Sequence, residues 1–182
     1  VDGSGTWRGD APYSRAFPPI RDFDANYCYD RFWDLYSHPP KTTRYLTSGY
    51  GFTVLGSSRD PFFTNVIREH FRRHYLLMGL LAHMQRASLL IFWERLADLV
   101  HVYSCEEAGK QSRDDFAMRA KWLVEDLADW VSRFYFSEVS NQIQGQELFD
   151  LWSQRLGTRA IYQQVIEQSR FIRDVQAMHK QE

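Results

Sequence analysis

Cysteine is scarce in this chain. Only Cys28 and Cys105 are present, far apart and in no CxxC pair. That excludes a disulfide framework and a thiolate zinc site, and it points to a reducing compartment. Excess charge of either sign is also missing, because 22 basic residues face 23 acidic ones for a net charge of −1. A balanced chain has no field to gather nucleic acid or an anionic membrane surface, so no nucleic-acid partner is expected. Nucleophile motifs are absent too: there is no Gly-x-Ser-x-Gly elbow and no Ser-x-x-Lys. Cys105 adjoins Glu106 and Glu107, whose charge disfavours a thiolate. The chain therefore reads as a non-enzyme. Neither an internal repeat of about 20–50 residues nor a low-complexity tract occurs.

The first thirty residues contain no apolar run after a basic start, so no signal peptide is read. Val1 stands where a Met would, and VDGSG resembles a linker. A fragment of a longer protein is the expectation. What the chain does have is 182 residues, 44% of them hydrophobic and 16% aromatic. That is enough apolar surface for a single domain with an aromatic-rich core.

Five of the six prolines fall in the first forty residues, among scattered aromatics. Residues 1–41 read as an irregular arm with one short helix over DANYCYDRFWDLY (24–36), stopped by His38-Pro39-Pro40. Residues 42–182 read as a β-hairpin followed by helices. In TTRYLTSGYGFTVLGS (42–57), β-branched and aromatic residues flank Ser48-Gly49-Tyr50-Gly51, which predicts two short strands around a turn. The Gly-Tyr-Gly triplet lacks the following Lys-Ser/Thr of a phosphate loop, which leaves it as a turn.

Asp60-Pro61 starts a helix with a capping carboxylate and a proline at the first position, and the helix is expected to run to about Tyr103, with Gly109 as its stop. YLLMGLLAHMQRASLLIFW (75–93) is apolar on most faces. His83, Gln85 and Arg86 interrupt it, and a central Arg costs about 2.5 kcal/mol or more in a bilayer. It reads as the central buried helix rather than a membrane span.

Ser112 to Asp115 offers a cap for a second helix, on which Phe116, Ala120, Leu123, Leu127, Trp130 and Phe134 form one packing seam. FSEVSNQIQGQELF (136–149) reads as a corner, with Asn141 and Gln144 at capping-box spacing and Gly145 turning the chain. Leu148, Leu151, Trp152 and Leu156 then form an amphipathic segment ending at Gly157, with Thr158 capping a last helix whose face carries Ile161, Val165, Ile172 and Val175. The fold expected is mainly α, an elongated bundle of long antiparallel helices with a small β-hairpin.

Two side-chain groups carry potential chemistry. Glu69, His70 and His74 in REHFRRH form a metal-ligand candidate, since histidines four apart share a helix face. A further ligand would come from Glu94, Asp98, Glu106 or Glu107. Arg86 and Glu94, charges in an apolar helix, call for partners, and Glu125, Asp126 or Asp129 of the next helix would pair with Arg86.

The runs YFSEVSNQIQGQELFDLWSQRLGTRAIYQQVIEQ (135–168) and FRRHYLLMGLLAHMQRASLLIFWERLADL (71–99) resemble the cytosolic, helix-rich portion of divergent bacterial CorA-like proteins. The match extends in pattern over residues 42 to 180. Several expectations follow from the resemblance alone: a cytosolic domain at the membrane's cytoplasmic face, two membrane spans beyond it, homo-oligomers, pentameric in the full-length protein, and a divalent cation such as Mg as cargo. The family's Gly-Met-Asn signature belongs to the first span, which this sequence does not reach. The chain departs from better-known members by its balanced charge and many aromatics. The function implied is assembly or gating in divalent-cation transport. The rival readings are a helical metal-binding protein or enzyme using His70 and His74, and a non-catalytic interaction scaffold.

Overall fold

The computed structural model describes residues 18–34, 36–38, 40–105 and 110–179. The fold is mainly α with a small antiparallel sheet in the N-terminal region. It divides into two compact units, Val1–Leu76 and Leu77–Glu182.

In the first unit Pro18-Pro19 opens helix α1, Pro18–Tyr27, because a proline ring presets the φ of a first helical turn. Of the helix expected over 24–36 only residues 24–27 are helical, as the end of α1. The residues that follow enter strands β1, Cys28–Tyr29, and β2, Trp33–Asp34. Long-range pairing overrides the local pattern: β1 pairs with β4, Arg44–Thr47, setting Cys28 opposite Leu46 and Tyr29 opposite Tyr45, while β2 pairs with β3, Lys41–Thr42. An ion cluster reinforces this. Arg44 donates to both oxygens of Asp30 at 2.6 and 2.8 Å, and its Nη2 lies 2.7 Å from Asp24. The described part of the supposed arm is thus tied to the hairpin.

The hairpin forms where the sequence places it. β4 and β5, Phe52–Leu55, are antiparallel, giving a sheet ordered β1-β4-β5. Its turn closes through Ser48 N–H to Gly51 O at 3.0 Å and Gly51 N–H to Ser48 Oγ at 3.2 Å. Strand alternation turns Tyr45 and Thr47 inward. Tyr45 is 1% exposed and is surrounded by the rings of Tyr29, Phe52 and Tyr75. Tyr75 Oη donates to Tyr45 Oη at 3.3 Å, and burial followed by this bond pushes the Tyr75 phenol well up.

Asp60 caps the helix as the sequence predicts, its carboxylate accepting from Phe62 N–H at 2.9 Å. Two wide π-helical turns, Phe62–Ile67 and Phe71–Tyr75, flank the short α2, Arg68–His70.

Burial pushes the Cys28 thiol up to about 11 from its ordinary 9.0, with Asp24 and Asp30 adding to the effect against Arg44. The neutral thiol is therefore favoured in the folded state. Its contribution is complete below about pH 9 and fades as pH rises towards 11. In a Cys105→Ser background, Cys28 should react with a disulfide reagent only slowly at neutral pH and accelerate through the alkaline range. Neutral-pH reactivity equal to that of a free thiol would contradict this placement.

The second unit is a helical bundle of α3, Leu76–Cys105, α4, Lys110–Phe134, α5, Ile143–Leu156, and α6, Thr158–His179. Its core joins Phe92, Leu96 and Leu99 of α3 to Phe116, Ala120 and Leu127 of α4 and Val165 and Ile172 of α6. Ile161 and Val175 pack at the edge of this cluster, so the predicted face of α6 is the inner one. The seam of α4 holds from Phe116 through Leu123 and Leu127 to Trp130. It fails at Phe134, the last residue of α4, which is 45% exposed and lies outside the core cluster.

The expected cap at Ser112 is also overturned, since α4 already includes Lys110; Gly109 lies outside the described residues. At the 136–149 corner, Asn141 and Gln144 do not set the helix start. Gln142 is the cap residue in extended conformation, its N–H donating to Ser140 Oγ at 3.0 Å, and Gln146 Nε2 donates to Ser140 O at 3.0 Å. Gly145 lies inside α5 rather than in the turn. A Cβ there would meet Ser140 Cβ at 2.6 Å, so its smallness lets the preceding loop lie against the helix. Gly157 does turn the chain, with φ of 68°, and its N–H reaches Gln154 O at 3.1 Å. Thr158 opens α6 without capping it, because its Oγ1 is buried with no hydrogen-bond partner.

Helix α3 differs most from expectation. It is not buried on most faces but carries two apolar seams. Met78, Ala82, Gln85, Leu89, Phe92, Leu96 and Leu99, alternately four and three apart, form the inner one. Leu77, Leu80, Met84, Ala87 and Ile91, alternately three and four apart, form an outer one that is exposed, with Leu77 at 64% and Leu80 at 58%. The segment Phe62–His101 is long and apolar enough to cross a membrane by length and composition, yet only a third of its most apolar window is buried.

Candidate functional site

The metal-ligand candidate takes shape only in part. The rings of His70 and His74 lie 5.0 Å apart, edge to face, and His70 also meets Tyr75 at 6.4 Å. Glu69 is drawn instead towards Arg72 and Arg73, at 3.9 and 3.7 Å. Among the described residues no three His, Cys, Asp or Glu side chains gather to hold a metal ion. Glu94 and Asp98 are exposed, and Glu106 and Glu107 lie outside the described residues.

The polar residues of α3 have structural roles. Arg86 Nη1 donates to Leu156 O, the last carbonyl of α5, where a cation complements the negative end of the helix dipole. Two of the three acidic residues expected to pair with it, Glu125 and Asp129, pair along their own helix. Glu125 lies 3.8 Å from Lys121, and Asp129 lies 2.8 Å from Arg133. Gln85, 2% exposed, donates through Nε2 to Phe134 O at 2.9 Å and Phe136 O at 3.0 Å. It thereby satisfies two carbonyls where α4 ends. His83 rests edge-on against Trp152, ring centroids 6.5 Å apart.

Beside Gln85 opens a cleft of about 770 Å³, within the size range of small-molecule sites. Three pieces of chain build it. The segment after α4 supplies Tyr135, Phe136 and Ser137; α5 supplies Phe149, Asp150, Ser153 and Gln154; and the first turns of α6 supply Thr158, Arg159, Tyr162 and Gln163. Positions 149, 150, 153 and 154 share one face of α5, and 158, 159, 162 and 163 share one face of α6. The bend at Gly157 brings these faces to one cleft.

Tyr135 and Tyr162 stack at 4.3 Å with planes 14° apart. Burial pushes the Tyr135 phenol up, with Tyr162 acting in the same direction and Arg159 in the opposite one. Sequence reasoning missed this cleft. Its charged residues sit on two helices, and only the tight Gly157 corner hinted that their faces would meet. No family model, curated protein or solved structure matches the chain.

Proposed function

We propose that this chain is the helical module of a CorA-like membrane protein and serves its assembly or gating in divalent-cation transport by packing against further copies of itself. The observation that carries the self-association is the outer seam of α3. Apolar residues alternating three and four apart form the stripe that a like helix covers in a coiled coil. The seam holds five such positions, Leu77 to Ile91, and nothing but apolar side chains occupies them. Two α3 helices therefore meet apolar against apolar in either direction.

Lipid is the less suitable cover for this seam. The opposite face of α3 packs in the core with α4 and α6, and α4 carries exposed Lys121, Glu125, Asp129 and Arg133 on its own surface. Charged groups of that number are costly in hydrocarbon. The CorA-like identity rests on the resemblance of residues 71–99 and 135–168. Reading the gene past the codon for Glu182 tests that part: two apolar spans of about 20 residues each are expected, and their absence overturns it.

A further inference from the structure

The cleft at the α5–α6 corner contains groups that the helical bundle does not use. Asp150 and Arg159 both line it, and neither side chain makes a hydrogen bond or ion pair with another described residue. Lining residues Ser153 and Thr158 carry buried hydroxyls without hydrogen-bond partners, and Thr158 is only 2% exposed. A bundle that needed only to pack would fill such positions with apolar side chains, because an unpartnered buried hydroxyl destabilises the fold.

Four of the remaining lining residues are aromatic, Tyr135, Phe136, Phe149 and Tyr162, with the two tyrosines stacked nearly parallel, and four are polar, Gln85, Ser137, Gln154 and Gln163. Arg159 stands in the first turn of α6, where backbone N–H groups have no intrahelical acceptors and the helix dipole is positive. This is the anion-favouring end of the cleft. Asp150 on α5 supplies the opposite charge.

We propose that this cleft binds a small zwitterion with an aromatic side group, an aromatic amino acid. Arg159 and the start of α6 take the carboxylate, Asp150 takes the ammonium, and the tyrosine and phenylalanine rings take the side group. A guanidinium suits a carboxylate by its paired donors, and aromatic rings favour stacked or edge-on partners. The inference does not depend on the proposed role in transport.

Calorimetric titration with L-phenylalanine tests it, with 3-phenylpropionate and phenethylamine as probes that each lack one charge. Saturable binding of L-phenylalanine is expected. The two analogues should bind about tenfold more weakly or worse, as should L-phenylalanine to Arg159→Gln and to Asp150→Asn. Both substituted residues are exposed, so the fold is expected to survive, and an unchanged circular dichroism melt establishes that. Arg133→Gln, outside the cleft lining, should bind like the parent protein. No saturable binding of L-phenylalanine overturns the proposal. So does binding unaffected by both cleft variants, which places the ligand elsewhere, and so does equal binding of 3-phenylpropionate, which reduces the site to one for simple anions.

Discussion

Leu96→Ala should lower the unfolding free energy of the helical unit by about 4 kcal/mol. Leu96 is fully buried in the cluster where α3, α4 and α6 meet, alongside Phe92, Leu99 and Val165. Removing its branched end forfeits the transfer of apolar atoms from water and also leaves a cavity. The surrounding helices can collapse into that cavity only in part. Urea denaturation followed by helical circular dichroism measures the effect. Leu80→Ala is the internal comparison, because Leu80 lies on the outer seam and is 58% exposed. In a monomeric sample it should cost about 0.5 kcal/mol or less. Equal losses for the two variants would mean that the inner and outer seams have been wrongly distinguished.

Gln85→Leu should cost about 2–4 kcal/mol despite a nearly unchanged side-chain volume. The amide of Gln85 donates to two carbonyls, Phe134 O and Phe136 O, at the place where α4 stops and its last carbonyls lack helical partners. Leucine would leave both acceptors facing an apolar group. The loss is larger than that of one exposed hydrogen bond because a desolvated carbonyl cannot turn to water. Denaturant midpoints of the wild type and Gln85→Leu, compared with Gln85→Glu, separate this from packing. Glutamate places an acceptor against the same acceptors, so it should be at least as damaging. A Gln85→Leu protein as stable as the wild type would remove the amide from the account of how α3 holds the end of α4.

The parts of the fold that the sequence made legible are those fixed by local chemistry. Ser48 to Gly51 between β-branched and aromatic runs specifies a turn, and Asp60-Pro61 specifies a helix start. Gly157 marks a helix end because its left-handed φ is one that side-chain-bearing residues rarely adopt. The inner faces of α4 and α6 followed from periodicity alone, until Phe134 fell beyond the core.

What stayed hidden depended on distant partners. Cys28, Tyr29 and Trp33 carry a pattern that a helix would satisfy locally, and their pairing with Leu46, Tyr45 and Thr42 turns them into strands. An all-round apolar α3 reads as a buried helix because periodicity records both seams and says nothing of which one the chain covers. The cleft was invisible for a similar reason. Asp150 and Arg159 resemble ordinary surface charges in sequence, and only the placement of three chain segments gives them a shared concave surface.

The central claim is that the outer seam of α3 meets another copy of this chain. Sedimentation equilibrium over a range of protein concentrations, applied to the wild type and to the Leu80→Glu, Ile91→Glu double variant, tests it most directly. The account predicts a wild-type mass that is a multiple of the 21.6 kDa chain, and a variant that sediments as a single chain while keeping its helical circular dichroism and thermal melt. A wild type that remains a single chain at the highest concentrations would contradict it, as would an assembly that survives both glutamates intact.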